Sequence, residues 1–252
     1  MNRSADSPTR TTAKGQRPSI KSPGFGALLS AEELAAVGRR EAIRCAAERR
    51  RAAQHQLERA VGRCGIPRRF LDRTFAGFEA VTSEQKQALA ACCAYAEDFE
   101  QVRLRGTCLL LTGGPGTGKT HLACAILSEV IRAGHTGLFM SLSAALRLIR
   151  DAYSPRAQRS ESEAFALLTA PDLLVLDEVG VAIGNATTRR AMLFDVLNAR
   201  YGEMRPTILI GNLTAAEMEA YLGERIMDRL LELGSAIVPF TWASHRRGKH
   251  DV

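Results

Sequence analysis

Eight consecutive residues, Gly113-Gly114-Pro115-Gly116-Thr117-Gly118-Lys119-Thr120, fit the spacing Gly-x4-Gly-Lys-Ser/Thr. Residues of these types in this order are suited to holding phosphate. The glycines let the backbone turn tightly, so that successive amides converge on phosphate oxygens. A helix opening at the same place adds its partial positive charge. Lys119 can reach the β- and γ-phosphates of ATP, the Thr120 hydroxyl can ligate Mg2+, and His121 is the next residue of the cradle. The flanks have the required character: an apolar strand, Cys108-Leu109-Leu110-Leu111, before the loop and a helical stretch, His121–Arg132, after it. An ordinary glycine-rich turn would not have to fill every position of the motif.

A second group of acids follows about 60 residues later. Leu173-Leu174-Val175-Leu176 reads as a buried strand that delivers Asp177 and Glu178 at its C-terminal edge, where ligands bind in open α/β sheets. Asp177 is suited to hold Mg2+ through water, and Glu178 to orient and activate an attacking water. Asn212, just past the strand Thr207–Gly211, is a candidate polar sensor near the γ-phosphate; as a Gly-Asn pair it also reads as plain turn chemistry.

These groups need a scaffold, and the apolar runs supply one. Thr107–Thr112, Thr136–Ser141, Asp172–Leu176, Thr207–Gly211 and Ala236–Phe240 each read as a buried parallel strand, with helical stretches between them. That alternation predicts a doubly wound α/β sheet over residues 75–252, preceded by a helix at Ser83–Phe99. Upstream, Ser30-Ala31-Glu32-Glu33 has capping-box spacing and predicts a helix to about Arg63, with Gly38 the place where it could break. Its apolar positions (Ile43, Ala46, Ala47, Ala53, Leu57, Val61) form a stripe too narrow for a core of its own, so the helix is expected to dock elsewhere. Gly65-Ile66-Pro67 ends it. Residues 1–29 read as a disordered basic tail and 30–74 as a small helical domain with its connector.

The charge is uneven. Of the formal net +7, residues 1–75 hold 16 Lys/Arg against 7 Asp/Glu, and the rest 18 against 20. The basic excess belongs to the first third, which fits a polyanion or an acidic protein surface as partner; a well-solvated arginine-rich helix would look the same. No apolar run approaches a membrane span and no secretory signal is apparent, so a cytoplasmic setting without a membrane partner is expected. The six cysteines include no Cys-x-x-Cys pair, which argues for reduced thiols over a zinc site.

Two further blocks carry a resemblance. Leu222-Gly223-Glu224-Arg225-Ile226-Met227-Asp228-Arg229 and Phe240-Thr241-Trp242-Ala243-Ser244-His245-Arg246 closely resemble the DnaC family of bacterial replicative helicase loaders, AAA+ ATPases of DnaC/IstB-like type. The resemblance spans roughly residues 30–247. It implies an AAA+ P-loop fold with sheet order 5-1-4-3-2, N-terminal helices that grip a hexameric replicative helicase, and ATP-dependent contact with single-stranded DNA. It also implies that Arg229 is an arginine finger reaching a neighbouring subunit's ATP, with Arg225 its companion and Arg246 a sensor arginine. Self-association would then run through Arg225 and Arg229. Spacing alone equally allows a salt-bridged surface helix, with Asp228 three residues from Arg225 and Glu232 three from Arg229. Only 12 residues follow Phe240, too few for a C-terminal helical lid.

Between the second and third strands lie two helical stretches. There Leu142, Leu146 and Ile149 point one way and leave Arg147, Arg150 and Tyr153 on another face. Cations beside an aromatic suit single-stranded DNA; a solvated face with a packed tyrosine is the alternative. The reading that results is a helicase loader whose ATP turnover is slow and switch-like. Its rivals are a transposition-helper ATPase of the IstB type and a nucleotide-gated DNA-binding module with incidental hydrolysis.

Overall fold

The computed structural model describes residues 30–61, 65–154, 157–181 and 185–245, with backbone only at 59–61. These residues divide between two compact units, with the boundary at Ile43/Arg44. The described part of the first is the N-terminal stretch of α1 (Ala31–Val61). There the expected capping box is made: the Glu33 amide donates to Ser30 Oγ at 3.2 Å and the Ser30 amide to Glu33 Oε2 at 2.7 Å. The helix passes through Gly38 without the break that the sequence allowed, because a glycine weakens a helix without stopping it.

In the second unit a 3-10 turn (Arg68–Phe70) leads to α2 (Ser83–Glu97) and α3 (Phe99–Arg105). The single helix expected at 83–99 is thus two, divided at Asp98. The rest alternates: β1 (Leu109–Gly113), α4 (Lys119–Arg132), β2 (Gly137–Ser141), α5 (Leu142–Ala152), α6 (Glu161–Thr169), β3 (Leu173–Val179), α7 (Ala186–Gly202), β4 (Thr207–Gly211), α8 (Ala215–Leu222), α9 (Glu224–Glu232) and β5 (Ala236–Phe240). The five strands are parallel in the order β2-β3-β4-β1-β5, the expected order read from the other edge. β3 runs three residues further than the sequence suggested and carries an irregularity between Leu176 and Val179.

Strand periodicity sorts the core into two layers. Leu110, Leu138, Leu174, Leu176 and Leu209 face the side covered by α5 to α9, where Leu57 of α1 joins them. Leu109, Leu111, Leu173, Val175, Ile208 and Ile210 face α2, α3 and α4. Of the stripe expected on α1, Leu57 is buried while Ile43 is 70% exposed, and Val61 lies among the residues whose side chains are not described.

Gln54, one turn before Leu57, meets the edge of the sheet. β2 is an edge strand, and the outward peptide groups of Gly137 have no strand beside them. Gln54 takes that place: its Oε1 accepts from the Gly137 amide at 2.9 Å and its Nε2 donates to the Gly137 carbonyl at 3.5 Å. Further along, Gly65 (φ +73°) lies so near the Phe139 carbonyl that a Cβ would sit 1.9 Å from the oxygen, so only glycine fits.

At the N-terminal edge of the sheet Arg200 is 1% exposed and donates to Thr207 Oγ1 and to the carbonyls of Leu168, Thr169, Pro171, Asp172 and Pro206. Burial lowers its pKa to about 9, but six acceptors satisfy the guanidinium. It ties the end of α6 to the starts of β3 and β4. This leaves the opposite, C-terminal edge for the site.

Candidate nucleotide site

The loop 113–118 leaves β1 and enters α4 as its sequence requires, with Gly118 (φ 100°) preceding the helix. A Cβ there would lie 2.5 Å from the Phe78 ring, so glycine admits both the left-handed backbone and the aromatic wall. Lys119 is 4% exposed and folds back over the loop, donating to the carbonyls of Gly113 (2.8 Å) and Gly114 (2.6 Å). Thr117 Oγ1 donates to the Gly114 carbonyl at 2.9 Å. Pro115 and Gly116 complete the turn.

The two acidic-motif residues take different positions. Asp177 accepts the Thr120 hydroxyl at 2.9 Å on Oδ2 and the Glu178 amide at 2.7 Å on Oδ1. Burial pushes the Asp177 carboxyl above its ordinary range; the Glu178 amide, the Thr120 hydroxyl and the charges of Lys119 and Arg69 act against this. Glu178 is exposed and adopts φ 61°, a conformation uncommon for a residue with a side chain, at the β3 irregularity. Asp177 is in register with Ser141, whose hydroxyl caps α5 by accepting the Ala144 amide at 3.3 Å. The C-terminal end of β4 also joins the site: the Gly113 amide donates to the Leu213 carbonyl at 2.8 Å, and Asn212 is exposed beside it.

A hydroxyl and a carboxylate, both hard oxygen donors, in direct contact at the mouth of a phosphate loop form a fitting set for Mg2+. Thr120 and Asp177 are the residues that would hold it. Among the described residues no other cluster of potential metal ligands is present. Cys124, one turn along α4, is buried and pushed up to about 12, which leaves it an inert thiol.

Four contacts around the loop were not legible in the sequence. The His121 ring meets the Thr74 carbonyl at 2.8 Å and the Phe78 ring edge-on at 5.6 Å. The Trp242 indole N–H donates to the Thr117 carbonyl at 3.0 Å, and the His245 amide to the Gly116 carbonyl at 3.0 Å. Residues 74–78 show no period that would mark them, and the block 240–246 shows its kinship but not its contacts.

The remaining candidates lie away from the loop. Leu222 ends α8 and Gly223 separates it from α9, which carries Arg225 and Arg229. Ile226 and Leu230 face the core and Arg225 is exposed. Arg229 does not pair with Glu232 as spacing allowed. It hydrogen-bonds Asn198 Oδ1 and lies over the rings of Phe194 (4.8 Å) and Tyr201 (5.5 Å), while Glu232 accepts the Tyr201 hydroxyl at 2.6 Å. On α5, Arg147 and Arg150 are exposed; Tyr153 is 56% exposed and donates to Glu161 at 2.8 Å. Arg246 lies outside the described residues. No helix among the described residues is long and apolar enough to cross a membrane.

Comparison with known proteins agrees with this geometry. The family model described as IstB-like ATP binding protein matches residues 43–250. The replicative helicase loader DnaC of Escherichia coli (strain K12) is 31% identical over 221 residues, covering 87% of this chain and 88% of its own. The protein of the same name from Buchnera aphidicola subsp. Acyrthosiphon pisum (strain APS) is 28% identical over 76% of each chain. A crystal structure of the DnaC helicase loader superposes with a TM-score of 0.59 at 22% identity, over 69% of this chain and 99% of that one, a likeness of fold.

Proposed function

This chain belongs to the IstB-like ATP binding protein family, and from that premise we propose that it is an ATP-dependent loader of a replicative DNA helicase. The observation that carries the reading is the 31% identity to the replicative helicase loader DnaC across 87% of the chain. The joined Thr120 and Asp177 support an ATPase at its centre.

In this reading the loop amides and Lys119 bind the terminal phosphates, Lys119 exchanging the Gly113 and Gly114 carbonyls for phosphate oxygens. Thr120 and Asp177 hold Mg2+, which when bound offsets phosphate charge. Glu178 accepts a proton from the attacking water and orients it; Asn212 hydrogen-bonds near the γ-phosphate. Arg229 acts on the nucleotide of a neighbouring copy, with Arg225 beside it, and Arg246 on its own. The α1 segment and connector, residues 30–74, grip the helicase. Arg147, Arg150 and Tyr153 meet single-stranded DNA, and α5 is capped by Ser141, the register partner of Asp177, which gives nucleotide state a short route to that helix. Turnover is slow, and ATP works as a switch.

Pull-down of the full-length chain against a hexameric replicative helicase and against a transposase, with and without ATP, tests this. Capture of the helicase is expected, and is expected to be lost on deleting residues 1–43 while ATP binding stays measurable. Capture of the transposase alone would replace this reading with that of a transposition helper of the IstB type.

A further inference from the structure

The residues after β5 hold the back of the phosphate loop at two points. Trp242 packs on Phe240, ring centroids 4.8 Å apart, and its indole N–H reaches the Thr117 carbonyl at 3.0 Å. The backbone N–H of His245 reaches the neighbouring Gly116 carbonyl at 3.0 Å. In a trans peptide the C=O of one residue points opposite to the N–H of the next. Fixing the Gly116 and Thr117 carbonyls therefore fixes the direction of the Thr117 and Gly118 amides, which then face away from the post-β5 segment. Those two amides belong to the motif that must converge on phosphate.

We propose that Trp242 and the His245 backbone form a two-point clamp that pre-aims the loop amides, making Trp242 a positioning residue for nucleotide binding. The proposal rests on the nucleotide-site reading above. The clamp differs from the other contacts of the loop. The carbonyls of Gly113 and Gly114 are engaged by Lys119, which must release them to reach a phosphate. The carbonyls of Gly116 and Thr117 are engaged by groups with no phosphate to turn to, so their bonds persist through binding. A group that holds the free loop in its binding-competent form raises apparent affinity by the competent fraction, in ground and transition states alike, so its loss raises Kd and KM and leaves kcat alone.

The test is ATP hydrolysis and titration of a fluorescent ATP analogue with the full-length chain. Trp242→Phe keeps an aromatic on Phe240 and deletes the donor; His245→Pro deletes the backbone donor; His245→Ala keeps it. Trp242→Phe and His245→Pro are each expected to raise Kd and KM about three- to tenfold, as the binding-competent fraction of the free loop falls to about a third to a tenth. In both, kcat is expected to stay within about twofold and the melting temperature without nucleotide to be little changed. His245→Ala should match the parent. If Phe repacks, β-(3-benzothienyl)alanine at 242, the same shape without the N–H, should give the same rise. Unchanged Kd and KM in that replacement, or equal damage from His245→Ala and His245→Pro, would overturn the clamp. Lys119→Ala separates the two readings: if it still binds ATP, the nucleotide site itself is wrong, whereas if it abolishes binding while position 242 is silent, only the clamp fails.

Discussion

The Thr120 hydroxyl donates to Asp177 Oδ2 at 2.9 Å across 57 residues of chain, so the phosphate loop and the acidic strand end are one site. Lys119 completes it. Replacing Lys119 by Ala removes the buried ammonium, and ATP affinity is expected to fall about 100-fold or more, the scale of lost charge-assisted hydrogen bonds. Equilibrium titration with a fluorescent nucleotide reads this directly; an unchanged Kd would refute the phosphate assignment.

Glu178 combines the general-base role proposed for it with an uncommon backbone conformation. Glu178→Gln should bind ATP normally and hydrolyse it about 10²- to 10⁴-fold more slowly, the range for loss of a general base. Glu178→Gly should be equally slow but more stable by about 1 kcal/mol, because glycine accepts φ 61° without a steric cost. Single-turnover hydrolysis and urea unfolding together separate the two effects.

Arg229 rests on α7 against Phe194, Asn198 and Tyr201. If it serves a neighbouring copy, it has to leave that face on assembly. Arg229→Ala should then leave nucleotide Kd within about twofold in the isolated chain, yet lower helicase-stimulated hydrolysis by about 10³-fold, the scale of an arginine finger. Equal hydrolysis by parent and variant in the assembled state would end that role.

His135 gives the fold a pH dependence. It is 4% exposed, its Nδ1 has no hydrogen-bond partner, and its Nε2 lies 3.4 Å from Glu100. Burial lowers its pKa below 6.5; Glu100 and Asp172 pull it up, Arg50 and Arg103 push it down. On acidification the unfolded chain therefore takes up this proton first, and stability falls as pH drops below about 6.5. Urea midpoints from pH 7.5 to 5 should show the decline, and His135→Phe should remove part of the slope. A slope unchanged by the substitution would show that other groups carry it.

The fold was largely legible because its strands are short apolar runs: Thr207–Gly211 and Ala236–Phe240 have the expected bounds, although β5, at the sheet edge, leaves Ala236, Ile237 and Pro239 exposed where a buried strand was expected. The breaks were less legible. Asp98 and Gly223 divide helices whose flanking residues keep a helical period, and only tertiary packing shows the turn. At the site, Lys119, Thr120 and Asp177 announce themselves because the roles proposed for them demand those residue types at that spacing. Phe78, Trp242 and the His245 amide act through a ring face, an indole N–H and a backbone group. Many sequences offer those, so nothing in their identity singles them out.

Gln54 has a practical consequence for anyone dividing this protein. Its side-chain amide plays the part of one residue of a sixth strand. A fragment cut at 65 or 75 would keep the whole ATP-binding sheet but leave the flank of β2 bare, free to stack with copies of itself into aggregates. A fragment starting at Arg44 carries its own stopper.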